Sequence, residues 1–142
     1  MAGRAGGQKI VILNVEAERQ FEPTFGSLIQ QGIGGLLVMN APLFFSQRQQ
    51  FVALAARHNV PTIYDRREFT EVGGLMSYGA STADQYRQCG VYAGRILNGE
   101  KPAVLPVMQP TKFEMVINMK TAEALGIKVP LTLQVAADEV IE

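Results

Sequence analysis

The sequence predicts an α/β fold built on a three-layer, doubly wound and mostly parallel sheet. Short apolar runs rich in β-branched residues alternate along the 142 residues with longer segments of helical spacing. Strands separated by helices of about 10 to 15 residues indicate βαβ units, which place helices on both faces of a parallel sheet. The first apolar runs are nearly continuous, as expected for strands that are covered on both faces. A chain of this length forms about one domain.

Five strands are predicted from apolar runs that are bounded by Gly, Pro and Asn. Pro61 has no backbone N–H and therefore fits only the start of its strand. The last run alternates apolar and polar residues, which is typical of a strand with two different faces. The predicted strands are Lys9–Val15, Gly35–Met39, Val60–Tyr64, Leu75–Tyr78 and Phe113–Asn118.

Five helical segments lie between or after these strands. Pro23 suits the first turn of the first helix, which ends at a glycine. Ser46 with Gln49 predicts a capping box for the second helix, and Ser81 predicts a similar start for the fourth. Asn118 can cap the last one. The predicted bounds are about 21–31, 46–59, 66–72, 81–98 and 120–125.

Composition excludes several classes of function. Thirteen Lys and Arg residues balance thirteen Asp and Glu residues, so the chain offers no basic field to nucleic acid, and none is predicted as a partner. A single Cys and a single His exclude an intrachain disulfide and a Cys/His-rich metal site, and no metal is predicted. Neither Gly-rich phosphate-binding motif occurs, so no cofactor is expected.

The beginning of the chain predicts no export signal. Residues 1–7 are Gly-rich and basic, and no apolar stretch of signal-peptide type follows them. These residues are predicted to be disordered. No apolar run approaches the roughly 20 residues that a membrane span needs.

The two reactive residue types are assigned to structural roles. His58 falls at a predicted helix C-terminus, where an interaction with the helix dipole is usual. Cys89 lies on the apolar face of the fourth helix and is predicted to be a core residue. No motif supplies a nucleophile, a phosphate loop or a metal, so we predict no enzyme activity. The residues predicted to share the apolar face with Cys89 are Tyr86, Ala93, Ile96 and Leu97.

The segment that follows the third strand concentrates charge where ligands bind in open parallel sheets, beyond the carboxyl ends of the strands. Asp65 can accept from an ammonium group, and Arg66 or Arg67 can donate a bidentate pair to a carboxylate. We assign Asp65, Arg67 and Phe69 to a ligand site. The alternative is a solvated loop held by local ion pairs.

Two other strand ends carry candidate ligand residues. Asn40 follows the second strand, and Phe44 and Phe45 lie in the next loop, where they can orient and stack an organic ligand. The alternative is that one Phe is core and the other a surface patch or subunit contact. Tyr78 and Gly79 lie where the fourth strand ends and a helix begins, and the free N–H groups there favour an anion.

The C-terminal third resembles a known family. The stretches Val91–Ala103 and Leu105–Ala122, followed by Leu125-Gly126, closely resemble the end of the tryptophan/tyrosine-type substrate-binding proteins of ABC transporters. The stretches Ala53–Tyr64 and Gly73–Gly79 are similar to the same family. The resemblance covers about residues 8–142.

This resemblance implies a solute-binding component of an ABC-type importer. It implies one lobe, flavodoxin-like in architecture, of a two-lobed type I periplasmic binding protein that binds an amino acid or similar small organic molecule without catalysis. Residues 8–142 are expected to be the C-terminal lobe alone, with a hinge-like connector at 101–113. The full-length protein would work with an ABC permease in the periplasm, whereas a chain made without a signal peptide would be cytoplasmic.

Association with a second copy is also predicted. Without the other lobe, the strand at 113–117 must pack on its own sheet, pair with another copy or hang loose. An exposed apolar strand is prone to association, so we predict a homodimer. The alternative function is a truncated cytoplasmic dimeric sensor or interaction module of the same fold that has lost transport.

Overall fold

A five-stranded mixed sheet organises the protein. The computed structural model describes residues 10–142, so the segment 1–7 that is predicted to be disordered lies outside the described residues. The strand order in the sheet follows the order in the chain. The strands are β1 (Leu36–Leu37), β2 (Thr62–Tyr64), β3 (Met76–Ala80), β4 (Phe113–Asn118) and β5 (Glu139–Ile141).

Strand pairing is parallel except at one boundary. The pairs β1–β2, β2–β3 and β4–β5 are parallel, and β4 runs antiparallel to β3. The predicted mostly parallel α/β sheet is therefore confirmed. Because β4 has a neighbour on each side, it packs on its own sheet and is not the exposed strand from which the homodimer was predicted.

Helices connect the strands in the predicted α/β alternation. Short 3-10 turns lie at Glu18–Gln20 and Pro102–Val104. The α-helices among residues 10–142 are α1 (Phe21–Gln30), α2 (Pro42–Ser46), α3 (Arg48–Arg57), α4 (Arg67–Glu71), α5 (Thr82–Leu97), α6 (Met119–Ala124) and α7 (Leu131–Ala136).

Two of the three predicted caps are present. The Ser81 side chain accepts from the backbone N–H of Asp84 at the start of α5, and Asn118 accepts from the N–H of Thr121 at the start of α6. The capping box at Ser46 is wrong. Pro42 starts α2 one turn earlier, so Ser46 ends that helix and its Oγ donates to the carbonyl of Leu43 at 3.0 Å.

Two strands differ from the prediction. The predicted strand at Lys9–Val15 is wrong over its described part, because residues 10–15 pair with no strand among the residues the structure covers. Its β-branched side chains report local propensity, but a strand also needs a partner to accept its backbone hydrogen bonds. The sequence prediction missed β5, whose three residues are too few to form a pattern.

Two clusters of buried side chains form the core. The larger one joins α1, α3 and α4 to the first two strands and is rich in aromatic rings, among them Phe21, Phe25, Phe51 and Phe69. The smaller one joins β4 to the segment 122–129, through Ile117, Ala122 and Val129.

The long helix α5 contributes to neither cluster, since none of its residues is buried. Tyr86 and Leu97 are 74% and 87% exposed. The prediction that Cys89 belongs to the core is therefore wrong, because Cys89 is exposed. Helical spacing shows which residues share a face, but it does not show whether another element covers that face.

Among the helices of the described residues, none combines the length and the apolar character needed to cross a membrane.

Candidate functional site

The candidate site lies at one edge of the sheet, where β1, β2 and β3 end and the antiparallel β4 begins. Asn40 follows β1 and is exposed, whereas Asp65 follows β2 directly and is partly buried. Tyr78 and Gly79 lie in the last part of β3, and Gly79 is in register with Glu114 of β4. The fold thus brings residues from four separate stretches of the chain to this edge.

Gly79 permits a very close backbone contact at this edge. A Cβ atom on Gly79 would lie 1.8 Å from the carbonyl oxygen of Asp65. No side chain fits in that distance, so glycine is required for β2 and β3 to meet here. The contact fixes the position from which the Asp65 side chain extends.

Asp65 is the carboxylate of the site. Its Oδ2 lies 3.7 Å from the Nε of Arg66. Partial burial raises the pKa of Asp65, while a backbone hydrogen bond and the positive charge of Arg66 oppose that rise. The pKa of Asp65 stays raised on balance, so a further cation beside Asp65 would stabilise its charged form.

Phe45 contacts two guanidinium groups near this carboxylate. The guanidinium carbons of Arg66 and Arg48 lie 5.0 and 5.1 Å from the centre of the Phe45 ring. Both distances fall within the range of cation–π contacts. Sequence reasoning missed Arg48, because Phe45 and Arg48 belong to two different helices, α2 and α3, and the contact depends on how the chain turns between them.

Two other predicted ligand residues belong to the core. Phe69 is 1% exposed and stacks on Tyr64 with ring centres 4.6 Å apart. Phe44 packs on Phe21 and Phe51, with ring centres 5.9 and 5.2 Å away. Of the two neighbouring Phe residues, Phe44 therefore packs on the core, as the alternative interpretation expected for one of them. The ligand role of Phe45 stays a prediction.

Arg67 is occupied by three glutamates. Its guanidinium lies 2.8 Å from Glu71, 2.7 Å from Glu139 and 3.8 Å from Glu114. The hydrogen bonds to Glu71 and Glu139 raise the pKa of Arg67 further. These contacts fasten α4 to β4 and β5, so Arg67 is saturated with carboxylates, as the ion-pair alternative for this loop described.

An aromatic pair stands beside the site. Tyr78 and Phe113 stack with ring centres 5.9 Å apart, and they are 59% and 49% exposed. The pair arises from the strand register, because Phe113 lies opposite Ala80 on the antiparallel neighbour. The sequence pattern identified Phe113 only as the start of a strand, since this register depends on the tertiary fold.

The remaining reactive groups lie elsewhere. His58 ends α3, where its ring stacks on Phe25 and its Nε2 lies 3.4 Å from Glu22. Within residues 10–142, no three His, Cys, Asp or Glu side chains converge in a way that could hold a metal ion. The side chains that the fold gathers at the candidate site are charged or aromatic.

A mostly parallel α/β unit with its recognition groups at the carboxyl edge of the sheet has the fold of one lobe of a periplasmic binding protein. A family model described as ABC transporter substrate binding protein matches residues 6–141. The chain belongs to this family. No curated protein matches the sequence.

Solved structures agree on the fold. A conserved domain protein from Vibrio cholerae superposes with a TM-score of 0.87 at 20% identity, over 98% of this chain and 47% of that one. An ABC domain from Streptococcus pneumoniae, solved in complex with L-Trp, gives 0.87 at 25% identity, over 97% and 46%. The ligand-free, open structure of CD0873, a substrate binding protein with adhesive properties from Clostridium difficile, gives 0.66 at 22%, over 99% and 46%. The chain spans about half the length of these proteins.

Proposed function

We propose that this chain is the C-terminal lobe of the solute-binding component of an ABC-type importer, and that it binds an amino acid or a similar small organic molecule without catalysis. The observation that carries the proposal is the pairing of Asp65 with the guanidinium of Arg66 at the carboxyl edge of the sheet. The family match and the L-Trp complex of the Streptococcus pneumoniae protein support it.

The groups of the site suit the parts of an amino acid. Asp65 accepts from the ammonium group, the guanidinium of Arg66 donates to the carboxylate, and Phe45 and Tyr78 offer ring surface to an apolar side chain. Asn40 and Gly79 complete the proposed site, which they line from the ends of β1 and β3. Arg67 and Phe69 have structural roles in this proposal. Arg67 is paired with glutamates, and Phe69 is buried in the core, so both stabilise the segment that follows Asp65.

The proposed site is half of a site that two lobes share. The matched structures are about twice as long as this chain, which supports a second lobe facing the same edge. In the longer form, residues 101–113 act as the hinge-like connector, and an ABC permease receives the loaded protein outside the cytoplasmic membrane. The family match does not favour the alternative of a cytoplasmic sensor that has lost transport.

Calorimetry with a panel of amino acids that includes tryptophan tests the role of Asp65. Asp65→Ala is expected to weaken binding at least about tenfold, because the ammonium group loses its charged acceptor. Since burial raises the pKa of Asp65, wild-type affinity is expected to fall with decreasing pH already above the usual pKa of about 3.9. Glu123→Ala, which removes an exposed carboxylate of α6 beyond the other end of the sheet, is the matched control. Equal affinities for Asp65→Ala and wild type would contradict the proposal.

We also propose a homodimer that forms through α5. The helix exposes a stripe of apolar side chains that no described element covers. An antiparallel, two-fold pairing of α5 with a second copy would cover this stripe on both copies. The formal net charge of zero adds no general repulsion between copies.

Light scattering at micromolar concentration tests the dimer. The wild-type protein is expected to have twice the mass of one chain, and Leu97→Asp is expected to convert it to a monomer because a charge would be buried at the interface. Leu131→Asp, which alters an exposed leucine of α7, is the matched control and should remain a dimer. A monomeric wild type, or a dimer that survives Leu97→Asp, would show that α5 is not the interface.

A further inference from the structure

Arg48 is a cation without a carboxylate partner. The ion pairs among residues 10–142 include none to Arg48 within 4.0 Å, although six other basic side chains have one. Its one hydrogen bond runs from Nη1 to the carbonyl of Phe45, at 3.2 Å. Its Nε–H is buried and has no acceptor. A buried donor without an acceptor is unusual in a native protein and asks for an explanation.

Neighbouring acids do not supply that acceptor. Glu68 in α4 likewise has a carboxylate oxygen, Oε2, that is buried without a partner, so Glu68 and Arg48 do not satisfy each other. Asp65 is paired with Arg66, at 3.7 Å. The region around Phe45 therefore holds two guanidinium groups and two carboxylates, of which only Asp65 is paired.

The ring of Phe45 holds the two guanidinium groups in place. Both lie about equally far from its centre, at 5.0 Å for Arg66 and 5.1 Å for Arg48. Arg48 begins α3 and Arg66 precedes α4, so the two cations come from the loops after β1 and β2. These are the loops at which open parallel sheets bind ligands.

We propose that Arg48, together with Arg66 on the Phe45 ring, forms a carboxylate-binding subsite. The inference rests on the proposed function in taking the occupant to be the carboxylate of the bound solute. The terminal Nη groups of Arg48 and Arg66 supply the donors, since a guanidinium group binds a carboxylate through parallel N–H donors. Arg67 was predicted from the sequence to bind the ligand, but its guanidinium already donates hydrogen bonds to Glu71 and Glu139.

Benzoate probes this subsite separately from amino acid binding. In NMR spectra of the whole chain, the side-chain Nε–Hε signal of Arg48 is assigned by its loss in Arg48→Lys. Benzoate is expected to shift that signal in a saturable way, and the neutral analogue benzamide is expected to leave it in place. Arg87 of α5, which is exposed and paired with Asp84, provides a second signal that should not move.

Variants give the same test by affinity. Arg48→Gln is expected to weaken benzoate binding at least about tenfold, since a charge-assisted pair of hydrogen bonds is lost. Arg48→Lys keeps the charge and the fold but lacks the planar donors, and it should lose most of the same affinity. Arg87→Gln should bind like wild type.

Four outcomes separate the subsite from the proposed function. A saturable benzoate shift at Arg48 that these variants weaken supports the subsite, even if no amino acid binds. Amino acid binding that depends on Asp65 but not on Arg48 overturns the subsite and leaves the proposed function standing. An Arg48 signal that does not move with benzoate, or moves no more than that of Arg87, also overturns the subsite.

Discussion

Gly79→Ala is expected to prevent the protein from folding stably. The added methyl group would lie 1.8 Å from the carbonyl oxygen of Asp65, well inside the contact distance of two heavy atoms. The obstacle is backbone, which cannot rotate away as a side chain can, so β2 and β3 must separate at the candidate site. We expect a loss of more than about 4 kcal/mol in the free energy of unfolding, out of the 5–15 kcal/mol that is typical of a domain.

Urea denaturation followed by circular dichroism measures this loss. Gly90→Ala is the matched control, because nothing lies within 4 Å of a Cβ at that position in α5. It is expected to raise stability by about 0.5–1 kcal/mol through the better helix propensity of alanine. If Gly79→Ala were as stable as wild type, the close approach of the two strands would be wrong.

Phe69→Ala is expected to be the most destabilising change among the predicted ligand residues that carry a side chain. Phe69 is 1% exposed and stacks on Tyr64, so its removal leaves a cavity beneath the loop that carries Asp65. Removing a buried Phe costs about 3–5 kcal/mol in the free energy of unfolding. Phe69→Leu fills most of the volume and should lose far less.

Phe113→Ala provides the comparison for this prediction. Phe113 is 49% exposed and contacts Tyr78, so a loss of about 1 kcal/mol is expected. The free energies from chemical denaturation rank the two positions. A small effect at Phe69 combined with a loss of ligand affinity would instead return Phe69 to the role of a ligand contact.

The sequence was sufficient for the fold class because the features that define it are local. Helical spacing and apolar runs located the helices around Phe25 and Phe51, and a glycine marked the end of the first. Local patterns failed where pairing decides the structure. The run at 10–15 has the composition of a strand without a partner, whereas the three residues of β5 are a strand because β4 offers one.

The candidate site was also predictable only where its features are local in sequence. The rule that ligands bind beyond the carboxyl ends of parallel strands brought attention to Asp65, Phe45 and Gly79. The sequence did not distinguish Arg66 from Arg67, because only the tertiary fold places Glu139, which is 72 residues away, on Arg67. Arg48 was missed for a similar reason, since what distinguishes it is the absence of a carboxylate partner in space.

The exposure of α5 bears on the cooperativity of folding. A helix of sixteen residues that buries none of them depends on its own hydrogen bonds and on a few contacts, such as the bond from the Tyr92 hydroxyl to the carbonyl of Pro106 at 2.6 Å. Helices of this length are marginal in water by themselves. The free energy of any association through α5 therefore includes the ordering of the helix, and the binding of a partner and the local stability of α5 are thermodynamically linked.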